Sequence, residues 1–460
     1  MTAQPRLLDD PYFPRLKALV IETTGMAFYA DKDDDLARIL GDRMAEIGVG
    51  GCARYLERLE DIRLGKDEMD ALVAELTIGE TYFFRHKEQF TALRERILPD
   101  VIARNADTRR IRIWSAGCAT GPEPYSLAIL LRREFWMSIA GWHVSIIGTD
   151  INQKFLSRAR EGRYEDWAFR ATPDDIRAEC FDKVGKHWLI KPEYKAWVSF
   201  QYHNLITNRF PSLIDNIAGF DIIVCRNVVI YFSRETVARL VPCFHETLVD
   251  GGWLVMGHAE PNLELFRSFR TVNVPGAVLY QRRDALGAEV PAIPVVPGPP
   301  RPAPIPAPAR PPARQRPRPP PPPAVPASGG LVAEVRRLAD GGHWDDALKS
   351  LDDLIAVNNL DPKLHFYRAL VLEQIGDWEE SEKALRRCIY LDRHFVLPHY
   401  HLGLFHSRNN DVQAARRSFR NALALVENVP DDQALLEGDD VTAGQVREAV
   451  GMHLKLIGTA

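Results

Sequence analysis

The polar residues that follow one predicted strand give the strongest chemical signal in this 460-residue sequence. A run of strand-forming residues at 222–224 stops at Arg226 and Asn227, and Tyr231 follows about one helical turn later. In an open α/β sheet, ligands bind just beyond the carboxyl ends of the strands. A cation, an amide and a phenol at such a place predict a binding site. The alternative is that these residues only cap the next helix.

A second candidate site lies where another predicted strand runs into a helix, at residues 111–128. Gly117 and Gly121 allow the backbone to pass close to a ligand. The next predicted strand ends at Asp150, where a carboxylate can accept both hydroxyls of a ribose. Nucleotide, flavin and methyl-donor folds all use such a turn, but the Gly-x-Gly-x-x-Gly pattern of dinucleotide sites does not occur here.

The elements that must position these residues are short apolar strands alternating with helices over residues 106–286. Six strands are predicted, at 111–114, 144–149, 198–202, 222–224, 253–256 and 277–281. This alternation predicts an α/β domain with a mostly parallel, doubly wound sheet. The segment at about 164–197 is longer than a connection between two parallel strands needs. Its last part, at 187–190 and 195–200, predicts a small antiparallel β insertion.

Residues 1–105 predict an N-terminal helical domain. Apolar residues recur there at helical spacing, first at Leu36, Ile39, Leu40 and Met44. The same spacing returns at 69–76, so at least two amphipathic helices are expected.

A proline-rich linker is predicted for residues 287–328. Eighteen of the 36 residues at 291–326 are proline, and five arginines but no acids lie among them. Such a segment cannot bury a core and favours extended polyproline II, so we expect a spacer. The alternative is a docking site for a proline-reading domain.

The sequence downstream of this linker repeats every 34 residues. Trp344 and Trp378 are 34 apart, and so are Asp377 and Asp411. This period resembles tetratricopeptide (TPR) repeats, which are pairs of helices. We expect about three repeats over 329–425, the first incomplete, followed by a capping helix and tail over 426–460. An ordinary helical bundle would not predict the shared register. We expect these repeats to recruit a protein partner as a module separate from the sheet.

Three motifs resemble those of CheR-type chemoreceptor glutamate methyltransferases, over about residues 12–285. Residues 225–232 resemble Cys-Arg-Asn-x-x-Ile-Tyr-Phe, residues 115–126 resemble Ser-Ala-x-x-x-Thr-Gly-Glu-Glu-Pro-Tyr-Ser, and residues 81–85 resemble Thr-x-Phe-Phe-Arg. The resemblance implies a CheR-like helical domain and a Rossmann-like class I methyltransferase sheet. It also implies S-adenosylmethionine as methyl donor, S-adenosylhomocysteine as product, and no metal.

The resemblance also implies roles for individual residues. Donor contacts fall on Thr81, Arg85, Gly117, Thr120, Gly121, Glu123, Asp150, Asn204, Leu205, Arg226 and Asn227. Arg85 and Tyr231 become the catalytic pair that orients substrate and donor, and neither acts as an acid or base. Two positions depart from the family pattern, because Pro122 replaces the first of two acids and Gly79 stands where some members have Asn.

Composition also bears on nucleic-acid binding, membrane insertion and metal binding. The formal net charge is −4, so no global field favours nucleic acid. The N-terminus does not read as a signal peptide, and no apolar run reaches the ~20 residues of a membrane span. We therefore expect a cytoplasmic protein without membrane insertion. No Cys-x-x-Cys pair suggests a metal site.

The leading hypothesis is a protein-glutamate O-methyltransferase for chemoreceptor cytoplasmic domains, with TPR repeats that bind an unknown protein. The first alternative is a catalytically weak CheR-like adaptor that works through its repeats. The second is a small-molecule methyltransferase. The CheR-like helical domain and insertion argue against that second alternative.

Overall fold

A computed structural model describes residues 7–283, 328–409, 411–437 and 441–458. The linker predicted for 287–328 lies outside these residues apart from Ser328, which begins a helix. No helix in the described ranges is long and apolar enough to cross a membrane.

Six α-helices precede the sheet. They are α1 (Phe13–Thr24), α2 (Asp33–Glu46), α3 (Cys52–Glu60), α4 (Gly65–Leu76), α5 (Lys87–Ala92) and α6 (Leu98–Arg104). The stripe predicted at Leu36, Ile39, Leu40 and Met44 is buried on α2, within one core shared by α1 to α4. Helices α5 and α6 instead pack their apolar residues against the sheet, so the physical core of the N-terminal region ends with α4.

The sheet region contains ten strands and six helices in the described chain. In order they are β1 (Arg110–Ala116), α7 (Pro122–Glu134), α8 (Trp136–Ile139), β2 (His143–Asp150), α9 (Gln153–Glu161), β3 (Arg163–Tyr164), α10 (Asp174–Cys180), β4 (Phe181–Val184), β5 (His187–Ile190), α11 (Pro192–Lys195), β6 (Val198–Tyr202), β7 (Phe220–Cys225), α12 (Arg234–Thr247), β8 (Leu248–Met256), β9 (Arg270–Val274) and β10 (Ala277–Gln281).

Seven of these strands form the main sheet, in the order β6-β2-β1-β7-β8-β10-β9. The first five strands in this order run parallel, and β10 is antiparallel to both of its neighbours. The mostly parallel α/β sheet and its six predicted strands are confirmed. Sequence reasoning missed β9, because this edge strand buries none of its five residues fully and lacks a clear apolar pattern.

The antiparallel insertion is a separate three-stranded sheet with the order β3-β5-β4. The strand predicted at 187–190 is confirmed as β5. The assignment of 195–200 to the insertion is wrong, because Pro192–Lys195 is helical and β6 pairs in parallel with β2 in the main sheet. A proline at the first helical position breaks the extended run that the sequence suggested.

The connection from β6 to β7, residues 203–219, contains no helix. It starts at the carboxyl end of β6 and returns to the amino end of β7. Near its end, Ser212 and Ile217 exchange two backbone hydrogen bonds of 2.8 Å, which close a small hairpin. We call residues 203–219 the crossover segment and residues 212–217 its hairpin.

Seven helices follow in the described residues after 327. They are α13 (Ser328–Asp340), α14 (Trp344–Val357), α15 (Pro362–Ile375), α16 (Trp378–Leu391), α17 (Val396–Arg408), α18 (Val412–Val426) and α19 (Ala443–Gly458). The 34-residue period is confirmed as three helix pairs, and α19 packs against α18. The first repeat has both helices, α13 and α14, so the prediction that it is incomplete is wrong.

The repeats pack against the amino-terminal edge of the main sheet. The turn before α14 touches the start of β7, where a β-carbon on Gly219 would lie 2.3 Å from the Trp344 ring. The equivalent turn before α16 touches the start of β2, with the His143 and Trp378 ring centroids 5.9 Å apart. The prediction that the repeats form a module separate from the sheet is therefore wrong.

Candidate active site

A cleft lies at the opposite, carboxyl edge of the sheet, and its empty space, open solvent included, is about 790 Å³. The ends of β1, β2, β6 and β7 form its floor, as expected for an open α/β sheet. Six of the predicted site residues line it. They are Gly117, Asp150, Asn204, Leu205, Asn227 and Tyr231.

The turn after β1 and the end of β2 meet at Asp150. Its carboxylate accepts hydrogen bonds from the backbone N–H groups of Ala119 and Asn152, at 2.9 and 2.8 Å. Burial raises the pKa of Asp150 to about 6, although these hydrogen bonds oppose the rise. The free lone pairs on the two carboxylate oxygens remain able to accept hydroxyl groups from a ligand.

Gly117 has a backbone that only glycine adopts without strain. Its φ is +75°, and a β-carbon there would lie 2.3 Å from a methyl group of Val228. The turn after β1 therefore touches the loop after β7, and both border the cleft. Ala119 and Asn227 also have positive φ, at 49° and 58°. Such strain in non-glycine residues gathers at functional sites.

The helical region roofs the cleft, a role that sequence reasoning did not assign. Residues at the ends of α1 and α4 and in the turns after them line it, among them Met26, Phe28 and Tyr29. The Asn204 side chain joins roof to floor, since its amide donates to the backbone carbonyl of Thr23, in the last turn of α1, at 2.8 Å. Threonine and aromatic residues near a helix end are too common to have indicated this contact.

Beyond the cleft, Glu123 and Arg226 form a buried ion pair. Their closest side-chain atoms are 3.2 Å apart, with exposed side-chain fractions of 14% and 2%. The other Glu123 oxygen accepts the hydroxyl of Ser115 at 2.7 Å. Burial raises the pKa of Glu123, and Arg226 and Ser115 oppose that rise. Glu123 therefore already has two protein partners, and any ligand ammonium would have to share it with Arg226.

Arg85 and Tyr231 lie close enough to interact electrostatically. Burial raises the pKa of Tyr231, and the positive charge of Arg85 opposes that rise. One Arg85 nitrogen donates to the backbone carbonyl of Glu80 at 2.7 Å, while Nε has no hydrogen-bond partner in the described chain. The buried Asn227 Oδ1 likewise has no partner there. These unsatisfied groups indicate a place for a polar ligand.

The remaining predicted residues lie outside the cleft lining. Gly121 caps α7, and the backbone carbonyl of Thr120 accepts the Tyr164 hydroxyl at 2.9 Å. Thr81 lies in an irregular segment between α4 and α5. In that segment Phe83 is fully buried against aromatic residues of the β insertion.

Glu260 is a site residue that sequence reasoning missed. Its carboxylate accepts the backbone N–H of Val228 at 2.9 Å and that of Gly257, so it ties the loop after β7 to the loop after β8. The sequence feature that could have indicated Glu260 is an acidic residue four positions after the predicted strand at 253–256. Since Val228 touches Gly117, Glu260 helps to fix both walls of the cleft.

The fold and this cleft define an S-adenosylmethionine-dependent methyltransferase joined to TPR repeats. The sequence model for "CheR methyltransferase, SAM binding domain" matches residues 79–277, and a tetratricopeptide repeat model matches residues 332–393.

The names of curated relatives indicate the same class of protein. Chemotaxis protein methyltransferase 1 of Pseudomonas aeruginosa is 31% identical over 276 residues, which are 59% of this chain and 97% of the relative. A probable biofilm formation methyltransferase, WspC, of the same species is 26% identical over 406 residues, covering 83% of this chain and 91% of the relative. This chain belongs to the CheR family of chemotaxis methyltransferases.

Proposed function

We propose that this protein is a protein-glutamate O-methyltransferase that acts on the cytoplasmic domains of chemoreceptors. The observation that carries the proposal is the cleft itself. A buried carboxylate, Asp150, and a phenol, Tyr231, line it, and the Arg85 cation lies close enough to Tyr231 to interact with it electrostatically. The names of the relatives, chemotaxis protein methyltransferases, favour chemoreceptors as substrates.

The residues present fit S-adenosylmethionine. Asp150 would accept the ribose hydroxyls, while the crossover segment at Asn204 and Leu205 would hold the adenine. Gly117 lets the turn after β1 pack tightly on Val228 at the edge of the cleft, and the unpartnered Asn227 oxygen and Arg85 Nε would meet polar groups of the donor. The Glu123–Arg226 pair would receive the amino-acid part. Bound in this way, the donor supplies an electrophilic methyl group on a sulfonium sulfur.

A glutamate substrate needs no general base, because its carboxylate is ionised at neutral pH and is already the nucleophile. The work of the protein is to align the attacking oxygen and to exclude water. Arg85 and Tyr231 would orient the substrate carboxylate by charge and by hydrogen bond. A tighter cage of cations would make the carboxylate a poorer nucleophile. The single arginine beside Tyr231 therefore suits the reaction.

Methylation is tested with radiolabelled donor and receptor-enriched membranes. Base-labile label on a receptor-sized band supports a glutamate methyl ester. Label that resists base, or that appears only in small molecules, would refute the proposal.

The adaptor alternative rests on Pro122 and on the partners that Glu123 already has. It predicts binding of donor or receptor without any label transfer.

A further inference from the structure

The hairpin of the crossover segment packs against the TPR repeats, because Leu213 and Ile214 belong to their apolar cluster. In stacked helix pairs, the first helix of each pair lines the concave face. Those helices are α13, α15 and α17. The hairpin lies near the outer two, since the Leu213 backbone is close enough to act electrostatically on Asp340 of α13, and Asp215 is close enough to act on Tyr400 and His401 of α17.

The hairpin tip is buried in the repeats and not in the sheet. Leu213 and Ile214 are 3% and 8% exposed, and they belong to the same apolar cluster as the repeat helices. Phe210 and Ile217, at the two sides of the hairpin, belong instead to the sheet core. The crossover segment is thus anchored at its base in one core and at its tip in the other.

The middle helix α15 is buried on nearly every side. Four consecutive residues at 364–367 and four more at 369–372 are buried, which is the pattern of a helix enclosed all round. The second helix of each pair buries only one stripe. A concave face open to solvent would leave α15 with an exposed side. The segment between α18 and α19 covers part of it, where Glu437 accepts the Tyr367 hydroxyl and pairs with Lys363, both at 2.6 Å. Leu213 and Ile214 of the hairpin belong to the same apolar cluster as α15.

The same crossover segment forms part of the donor cleft. Its first residues, His203 to Leu205, line the cleft. Toward the hairpin, Arg112 of β1 holds it by hydrogen bonds to Asn216 and Ala218, and Gln201 donates to the Asp215 carbonyl at 2.8 Å. The segment therefore connects the adenine end of the cleft, at one edge of the sheet, to the repeats at the other.

We propose that the TPR repeats bind the chain's own crossover segment and thereby hold the adenine end of the donor cleft in place. The repeats would then control donor affinity from behind the sheet. A partner protein could use their concave face only by displacing the hairpin. The part of this inference that concerns the cleft rests on the donor site proposed above, whereas the self-binding does not.

The test uses the full chain carrying Leu213→Asp and Ile214→Asp together. Both side chains lie outside the sheet core, so carboxylates there should release the hairpin without unfolding the sheet. The matched control is Ile62→Asp, because Ile62 is 79% exposed in the turn between α3 and α4. Two measurements are made on each protein, namely small-angle X-ray scattering and calorimetric titration with S-adenosylmethionine.

Wild type and control should scatter as compact particles, with a radius of gyration near the roughly 23 Å expected for a compact chain of this length. The double variant should expand by about 5 Å or more and bind donor several-fold more weakly. An expanded wild type, or no expansion in the variant, would overturn the self-binding. If the double variant expands but binds donor with unchanged affinity, the repeats do not control the donor cleft. Failure of wild type to bind any donor would refute the proposed donor site, while scattering would still decide the self-binding.

Discussion

Replacing Asp150 with asparagine should stabilise the ligand-free protein at neutral pH while weakening its binding of donor. The fold raises the pKa of this carboxyl from 3.8 to about 6 by burial, so the folded protein favours the protonated form. The stability that this group contributes is fully present below pH 3.8 and is lost as the pH rises through about 6. Above that pH, the ionised carboxylate is a constant cost that Asp150→Asn removes.

The size of the effect follows from these two pKa values. The cost of ionising Asp150 in the fold is about 2 kcal/mol at pH 5 and about 3 kcal/mol at pH 7.5. Asparagine keeps only one acceptor oxygen for the two backbone donors, but that loss does not depend on pH. The stability of Asp150→Asn relative to wild type should therefore grow by about 1 kcal/mol between the two pH values.

The assay is thermal unfolding of wild type and variant at pH 5 and pH 7.5 without donor. For a domain of this size, about 1 kcal/mol corresponds to roughly 2–4 °C in melting temperature. Asp182→Asn, at an exposed position of the β insertion, is the control and should show no such growth. A melting-temperature difference that stays constant or shrinks with rising pH would refute the burial argument. Donor affinity of Asp150→Asn should fall about ten- to 150-fold, as expected when a charged hydrogen bond is lost.

Three further predictions follow from the site. Arg85→Ala and Tyr231→Phe should each lower the methylation rate at least about tenfold, the loss of roughly 1.4 kcal/mol. Both should leave the melting temperature nearly unchanged, and equal losses of rate and stability would show that they are structural. Gly117→Ala should weaken donor binding more than Gly185→Ala, because both glycines have positive φ but only the first meets a side chain. Equal affinities would contradict the close packing. Glu123→Leu should destabilise the protein by about 3–5 kcal/mol, since it leaves a buried arginine unpaired. Replacing that arginine with methionine as well should recover much of the loss, and additive losses would argue against a pair.

Much of the fold could be predicted from local patterns. The helical stripe on α2, the parallel strands and the 34-residue period all depend on residues close together in sequence. Side-chain spacing alone determines which face of each element is apolar. The edge strand β9 and the boundary of the β insertion could not be predicted in this way. Their pairing depends on which distant strand is available, and neither has a strong apolar pattern.

Some site residues could be predicted because they follow predicted strands, such as Asp150 and Asn227. The carboxyl ends of parallel strands lie at one edge of the sheet. Sequence spacing could not show that the Glu123 carboxylate is already shared by Ser115 and Arg226. It also missed Glu260, whose backbone contacts form only when two loops from different strands meet. Hydrogen bonds between distant parts of the chain produce no periodic pattern in the sequence.

By itself, the sequence determined the class of catalyst, the repeat architecture and most strand-end residues of the cleft. These depend on local periodicity and on motifs whose members lie within a few residues of one another. Only the tertiary structure decided that the α1–α4 region roofs the cleft and that the repeats enclose the hairpin of the crossover segment. The physical reason is that Leu213 and Ile214 look like ordinary loop residues in sequence. They become an interface only because folding brings them from the sheet domain to repeat helices that begin more than 100 residues further along the chain.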